Sequence, residues 1–362
     1  MSFRPHPLVI LQAALLLVAI GLVLLLFWWI RPPAEDVAPP PPPEVIVPTA
    51  GRFVLPVGCT LGQDCWILNY PDRDPAPGQA QDYRCRPRSY DTHKGTDIAV
   101  ATMADLSRSV AVLAPADGAV LRLRDGVDDN LADSEDIARL RAAQMECGNG
   151  LVIDHGDGWE SQLCHLRRGS IVVQPGQRVQ AGEVLGQIGS SGMSQHPHLD
   201  IGFRLNGEPI DPATGAPLTA ACDPNASAAE SLWLDPALAV YHPGAIIAVG
   251  PTTGSVDYDA LLAGTLPPMP QAGDETLVVW ALVLATATGD QLMLEAKLPG
   301  GSWTQINTHT VTRAQQRALL GTVGQLSQGL PPGPLQVRAR LMRAGELISE
   351  RTSDIVPILP HD

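Results

Sequence analysis

Between residues 110 and 204 the chain runs as short aliphatic and β-branched stretches cut by turn residues, and this rhythm confines it to a fold of many short strands. Val110-Ala111-Val112-Leu113-Ala114 stops at Pro115-Ala116-Asp117-Gly118, and residues 119–123 resume. Gly150-Leu151-Val152-Ile153-Asp154 runs into His155-Gly156-Asp157-Gly158, whose Asp-Gly step suits a hairpin, and residues 159–165 return. Val184-Leu185-Gly186-Gln187-Ile188 follows a second turn at Pro175-Gly176, and residues 198–204 form the last strong strand of this part. The 34 glycines and 34 prolines among 362 residues favour short strands over long helices. The expected class is predominantly all-β, with antiparallel sheet.

These strands carry residues suited to a metal centre. His93 and Asp97 stand in His93-Lys94-Gly95-Thr96-Asp97, and much later come His165 and His196-Pro197-His198-Leu199-Asp200. A close-spaced pair joined by distant imidazoles and carboxylates is how a catalytic zinc site gathers three protein ligands and keeps a fourth position for water. In an extended strand residues i, i+2 and i+4 share a face, so His196, His198 and Asp200 project together if the strand starts by His196. Asp200 is then a metal ligand with His198 beside it, and His165 approaches from another strand. His93 and Asp97 supply the other two ligands, and Gly95 lets the backbone bend between them. His155 lies in a turn and reads as structural, and Asp72 reads as solvated.

The order of these motifs resembles the lysostaphin-like (LytM, M23) peptidoglycan endopeptidases. That family carries His-x-x-x-Asp, then a histidine in a Tyr-Ala-His-Leu-like strand, then Gly-Pro-His-Leu-His. This chain has His93-Lys94-Gly95-Thr96-Asp97, Cys164-His165-Leu166 and Pro197-His198-Leu199-Asp200. Gly148-Asn149-Gly150, Pro175-Gly176-Gln177, Gly189-Ser190-Ser191-Gly192 and Ile210-Asp211-Pro212 are also similar to the family. The resemblance covers roughly residues 51–212. It implies a LytM-like antiparallel peptidase domain with one zinc ion held by His93, Asp97 and the residue at position 200. It implies that His165 and His198 are catalytic, polarising the attacked carbonyl or handling the proton of the bound water. The implied substrate is a stem peptide or crosslink of peptidoglycan.

Asp200 stands where the family has its third ligand histidine. A carboxylate oxygen binds zinc at ~2.0–2.2 Å, so a His-Asp-Asp set is chemically allowed. The added negative charge also admits a harder divalent metal such as manganese. Two alternatives remain at this point. One is a slipped register in which His196 and His198 take the two histidine roles. The other is a catalytically degenerate domain that binds or regulates cell-wall hydrolases. A biotinyl-type carrier hairpin needs a lysine at its tip, and the one lysine of this part, Lys94, sits within the His-Asp pair.

Residues 8–30 are apolar apart from Gln12 and are long enough, at ~1.5 Å per residue, to cross a hydrocarbon layer of ~30 Å. They are expected to be an uncleaved transmembrane helix after a cytoplasmic tail of residues 1–7. The globular part is then periplasmic or extracellular, held to the cytoplasmic membrane by a single pass. Residues 31–50, with five consecutive prolines at 39–43, form a semi-rigid spacer. Six cysteines without a C-x-x-C pair suit disulfides in an exported chain. They allow fifteen pairings; Cys147 with Cys164 would brace His165, and Cys59 with Cys65 would close a small loop. The net charge of −14 argues against nucleic acid as a partner.

The acidic insertion at residues 125–145 holds a helix capped at Asp133-Ser134; it is a flap over a cleft or, more plainly, a solvated surface loop. The expected division is a peptidase domain at residues 51–222 and a second domain at residues 223–362. Residues 276–284 are apolar after Thr276 and read as a buried strand, and residues 335–341 alternate, which suggests an immunoglobulin-like β-sandwich that binds a cell-envelope partner or serves in packing.

Overall fold

The computed structural model describes residues 53–360. The expected membrane helix and spacer lie outside the described residues. Among those described, no helix is long and apolar enough to cross a membrane.

The chain first forms β1 (Trp66–Asn69), β2 (Gly95–Ala99), β3 (Ala111–Leu113), β4 (Gly118–Arg124), β5 (Asn149–Gly156) and β6 (Trp159–Leu166). Then come β7 (Arg178–Val179), β8 (Val184–Gln187), β9 (His198–Leu205), β10 (Glu208–Asp211) and β11 (Ala216–Pro217). One sheet runs β1-β2-β9-β6-β5-β4-β7, with β10 and β11 continuing from β9, while β3 pairs with β8 apart from it. The pairings are antiparallel, as the turn chemistry implies. Alternation turns Ile98, Ile153, Leu163, Leu199 and Ile201 to one side, into a shared core. Ala226, Trp233 and Leu238, beyond the expected boundary at residue 222, also enter this core. The cysteines pair as Cys59–Cys65, Cys85–Cys222 and Cys147–Cys164.

The remaining strands are β12 (Ala245–Thr252), β13 (Thr276–Thr286), β14 (Gln291–Lys297), β15 (Trp303–Thr310), β16 (Gln315–Gln325), β17 (Gly333–Arg343), β18 (Glu346–Thr352) and β19 (Val356–Ile358). Sheet β12-β13-β16 faces sheet β15-β14-β17-β18, and β19 adds to β17. Between them Leu277, Val279, Ala281 and Val283 meet Leu292, Leu294, Leu335, Val337, Ala339 and Leu341.

The second face of β13 is covered as well. Leu282 and Leu284, with Ile247 of β12, join Trp66 and Leu68 of β1 and Ala99 and Ala101 at the end of β2. Each large side chain buried here contributes roughly 1.5–3 kcal/mol. A strand buried on both faces needs apolar residues at every position, which explains the unbroken run in β13. β17 turns Gln336, Arg338 and Arg340 away from the core and therefore alternates. Residues 53–360 thus lie in one compact unit.

Candidate metal centre

The register of β2 against β9 sets Asp97 opposite Asp200 and Ala99 opposite His198. Directly opposed residues of an antiparallel pair share a face, so Asp97, Asp200 and His198 project together, away from Ile98, Leu199 and Ile201. His93 enters from the loop before β2. Its Nε2 lies 3.1 Å from Asp97 Oδ1 and 3.8 Å from Asp200 Oδ1. One ligand atom from each of His93, Asp97 and Asp200 falls within 4.8 Å of the others.

Gly95 serves a purpose other than the expected bend. It sits in the extended β2, and a Cβ there would stand 1.8 Å from Asp200 Oδ1. Its missing side chain is the room that the Asp200 carboxylate occupies.

Three imidazoles are tethered in the same way. His93 Nδ1 lies 2.9 Å from the Tyr70 carbonyl, His165 Nδ1 2.7 Å from that of Ser191, and His198 Nδ1 2.6 Å from that of His196. A carbonyl only accepts, so each Nδ1 carries a proton and donates it, which leaves a lone pair on Nε2 in the neutral ring. His198 Nε2 lies 3.4 Å from Asp97 Oδ1. His165 has φ 64°, and the β5–β6 register is irregular between Asn149 and Leu151. This bulge takes His165 out of strict alternation and brings its ring to 4.6 Å from that of His198. Its backbone N–H donates to the Cys147 carbonyl at 2.9 Å, beside the Cys147–Cys164 disulfide.

His196 does not join this group. β9 begins at His198, so the condition for a common face fails. The His196 ring turns away and its Nε2–H donates to the Val100 carbonyl at 2.7 Å. The slipped register is therefore not adopted. His155 Nδ1 and Nε2 bond to the Asp117 carbonyl and the Ser161 hydroxyl, each at 2.8 Å, a structural role. Asp72, expected to be solvated, is buried and accepts from the backbone N–H groups of Asp74, Gln81 and Thr92, organising the loop that leads to His93.

Two neighbours had no signal in the sequence. Asn69 pairs with Asp97 across β1 and β2, and its Nδ2 donates to Asp97 Oδ2 at 2.7 Å. The Tyr90 ring stacks on His93 at 4.2 Å. A lone asparagine at a strand end and a tyrosine in a loop become informative only once the β1–β2 register is known.

The electrostatics favour a cation. Burial alone would lower the His93 pKa, but Asp97, with Asp200 beside it, outweighs burial and holds it up at about 10. Burial would raise Asp97, yet His93 and His198 hold it well below the usual carboxylate range. Burial pushes His165 down to about 4, and His198 adds to that effect. Asp200 Oδ1 is buried without a hydrogen-bond partner among the described residues. An orphaned carboxylate oxygen in the interior is costly, and a divalent cation between His93, Asp97 and Asp200 would satisfy it. One imidazole nitrogen and two carboxylate oxygens fit zinc and also harder divalent ions.

A cleft of about 510 Å³ opens over the centre, lined in part by Tyr90, Lys94, Arg141, His165 and Asp200. Arg141 belongs to the helix Ser134–Ala142, whose N-terminus is capped by Asp133. The insertion is therefore more than a solvated loop, because its helix borders the cleft.

Residues 91–212 match the profile of "Peptidase family M23". The chain is 34% identical over 85 residues to the DD-carboxypeptidase/endopeptidase Mpg of Neisseria meningitidis serogroup B, a match covering 24% of this chain and 19% of that protein. It is 30% identical over 122 residues to an uncharacterized metalloprotease of Haemophilus influenzae, covering 34% of this chain and 20% of the relative. The matched segment thus spans about a fifth of these curated relatives. Among solved structures, the catalytic domain of lysostaphin from Staphylococcus simulans is 21% identical with a TM-score of 0.25, over 34% of this chain and 77% of that one.

Proposed function

We propose that the chain is a zinc metalloendopeptidase that cleaves peptide bonds in peptidoglycan, a reading supported by the match of residues 91–212 to the profile of peptidase family M23. The observation that carries this reading is the unpartnered, buried Oδ1 of Asp200 facing His93 and Asp97. His93, Asp97 and Asp200 would hold the ion. Bound there, it supplies Lewis acidity and brings the pKa of a coordinated water to ~7.

The protein's own groups do the rest. His165, tethered through Nδ1 to Ser191, keeps its Nε2 free to take the proton of the attacking water and return it to the leaving amine. His198, fixed through Nδ1 to the His196 carbonyl, is buried yet favoured as an imidazolium by the Asp97 carboxylate, and its Nε2–H can then donate to an oxyanion. Asn69 holds the second oxygen of Asp97, so that its first oxygen points to the centre.

Residues 8–30 anchor the chain in the cytoplasmic membrane, and the globular part works on the periplasmic or extracellular side, where three disulfides persist. The packing of a three-stranded antiparallel sheet on a five-stranded one supports an immunoglobulin-like sandwich. The carboxylate at position 200 favours a second reading, a regulator of wall hydrolases that does not cleave. Metal analysis and peptidoglycan digestion separate the two. The full-length protein should hold one divalent ion per chain and release soluble peptides, and His93→Ala should lose both. No bound metal, with identical digestion profiles for the two proteins, would retire the enzyme and leave the regulator.

A further inference from the structure

Beside the metal centre, on the side of the C-terminal sheets, lies a second cavity of about 210 Å³ whose wall includes Tyr90, Arg141, Gln195, His196, Gln316 and Arg317. Tyr90, Arg141 and Met193 border both this cavity and the larger cleft, so the two adjoin across the reacting centre. Its walls come from five places in the chain: the end of β1, the Tyr90–Asp97 region, the insertion helix Ser134–Ala142, the segment from Met193 to His198, and β16.

The charges within this cavity are unusual for this chain. The protein carries a net charge of −14, yet this cavity gathers two guanidinium groups. The one carboxylate among its lining residues is Asp97, already held by Asn69, His93 and His198. Arg317 Nη1 donates to the Gln195 carbonyl at 2.6 Å, which uses one of its five N–H groups. Arg141 is exposed. A guanidinium stays charged at any physiological pH, and its forked donors match a carboxylate.

We propose that this cavity is a specificity subsite for a free carboxylate on the substrate residue next to the scissile bond, bound by Arg141 and Arg317. The proposal rests on the peptidase reading and narrows it. A cavity of this size admits about one residue, and the shared core of Trp66, Leu68, Ala99, Leu282 and Leu284 fixes the sandwich wall relative to β2. The C-terminal half thereby acts in substrate choice.

The test is a binding measurement on the full-length protein carrying His165→Ala, so that turnover does not interfere. The probe is the peptidoglycan stem tetrapeptide in three forms: all carboxyls free, the C-terminal carboxyl amidated, and the internal carboxyls amidated. Calorimetry should show that one amidated form binds about tenfold to a hundredfold more weakly, as expected for loss of a charge-assisted pair, and which form it is identifies the carboxylate. Arg141→Gln and Arg317→Gln should each bring the ratio towards one, with partial recovery in Arg141→Lys. Equal affinity for all three forms, or an equal loss for all three in the arginine variants, overturns the subsite. Cleavage by the wild type without carboxylate preference removes the subsite and leaves the peptidase standing. A carboxylate preference without any cleavage does the reverse.

Discussion

The Asp200 carboxylate fills the space that a side chain on Gly95 would take, since a Cβ at position 95 would lie 1.8 Å from Asp200 Oδ1. Gly95→Ala should therefore displace one ligand while leaving the fold in place. The closest obstacle is the Asp200 carboxylate, with the Ile201 carbonyl oxygen next at 3.0 Å, and residue 95 is already extended, so metal-free stability should fall by about 1–2 kcal/mol. Metal affinity, read by competition with a chelator, should fall at least about tenfold. Unchanged affinity would mean that Asp200 is not a ligand.

Asn69 gives a second handle. Its amide holds the oxygen of Asp97 that faces away from the centre. Asn69→Ala should weaken metal binding by roughly 10–100-fold, the usual cost of losing a partner that orients a ligand. Far-ultraviolet circular dichroism should not change. A variant that binds metal like the wild type would assign Asn69 to strand pairing alone.

The disulfides should differ in their effect on stability. Cys147–Cys164 closes a separation of 17 residues and Cys85–Cys222 one of 137. By loop entropy, double serine replacement should cost roughly 3 kcal/mol for the first pair and roughly 5 kcal/mol for the second. Urea unfolding of the two variants checks the order. The first pair also flanks His165, so its loss should lower turnover more than the stability change alone explains.

His196 predicts an acid limb in stability. Burial, reinforced by Arg317, pushes its pKa down to about 3. The unfolded chain takes up a proton below about pH 6.5, whereas the folded protein does not until near pH 3. The stability that neutral His196 permits is thus complete above pH 6.5 and is lost as the pH falls towards 3. Between those limits the wild type should lose about 1.4 kcal/mol per pH unit more than His196→Gln, as measured by urea unfolding from pH 6.5 to 4. Parallel profiles would show that His196 titrates normally.

The pattern of short runs and turns foretold the antiparallel sheet, and the spacing of His93, Asp97, His165, His198 and Asp200 marked residues that the fold brings together. Where sequence reasoning missed, register or a local backbone distortion decided the outcome. His196 shares the face of His198 and Asp200 only in a strand that starts by residue 196, and β9 starts at His198. Gly95 reads as a hinge from sequence, because nothing there reveals that it pairs with Gly202 and that the neighbouring Asp200 side chain fills the space beside it. Asn69 went unnoticed for the same reason. The β13 run carried a message in its lack of polar positions: both its faces had to be covered. That β1 and β2 provide the second cover depends on long-range packing that no local pattern encodes.

The layer formed by Trp66, Leu68, Ala99, Leu282 and Leu284 has a further consequence. Because β2 carries Asp97 at one position and gives Ala99 to this layer two residues later, a disturbance in the distant sheet should pass along a single strand to the Asp97 carboxylate of the candidate metal centre. Selection on the protein must therefore weigh both halves jointly, and a recombination event that exchanged the C-terminal half would have to bring a matching β1–β2 surface with it.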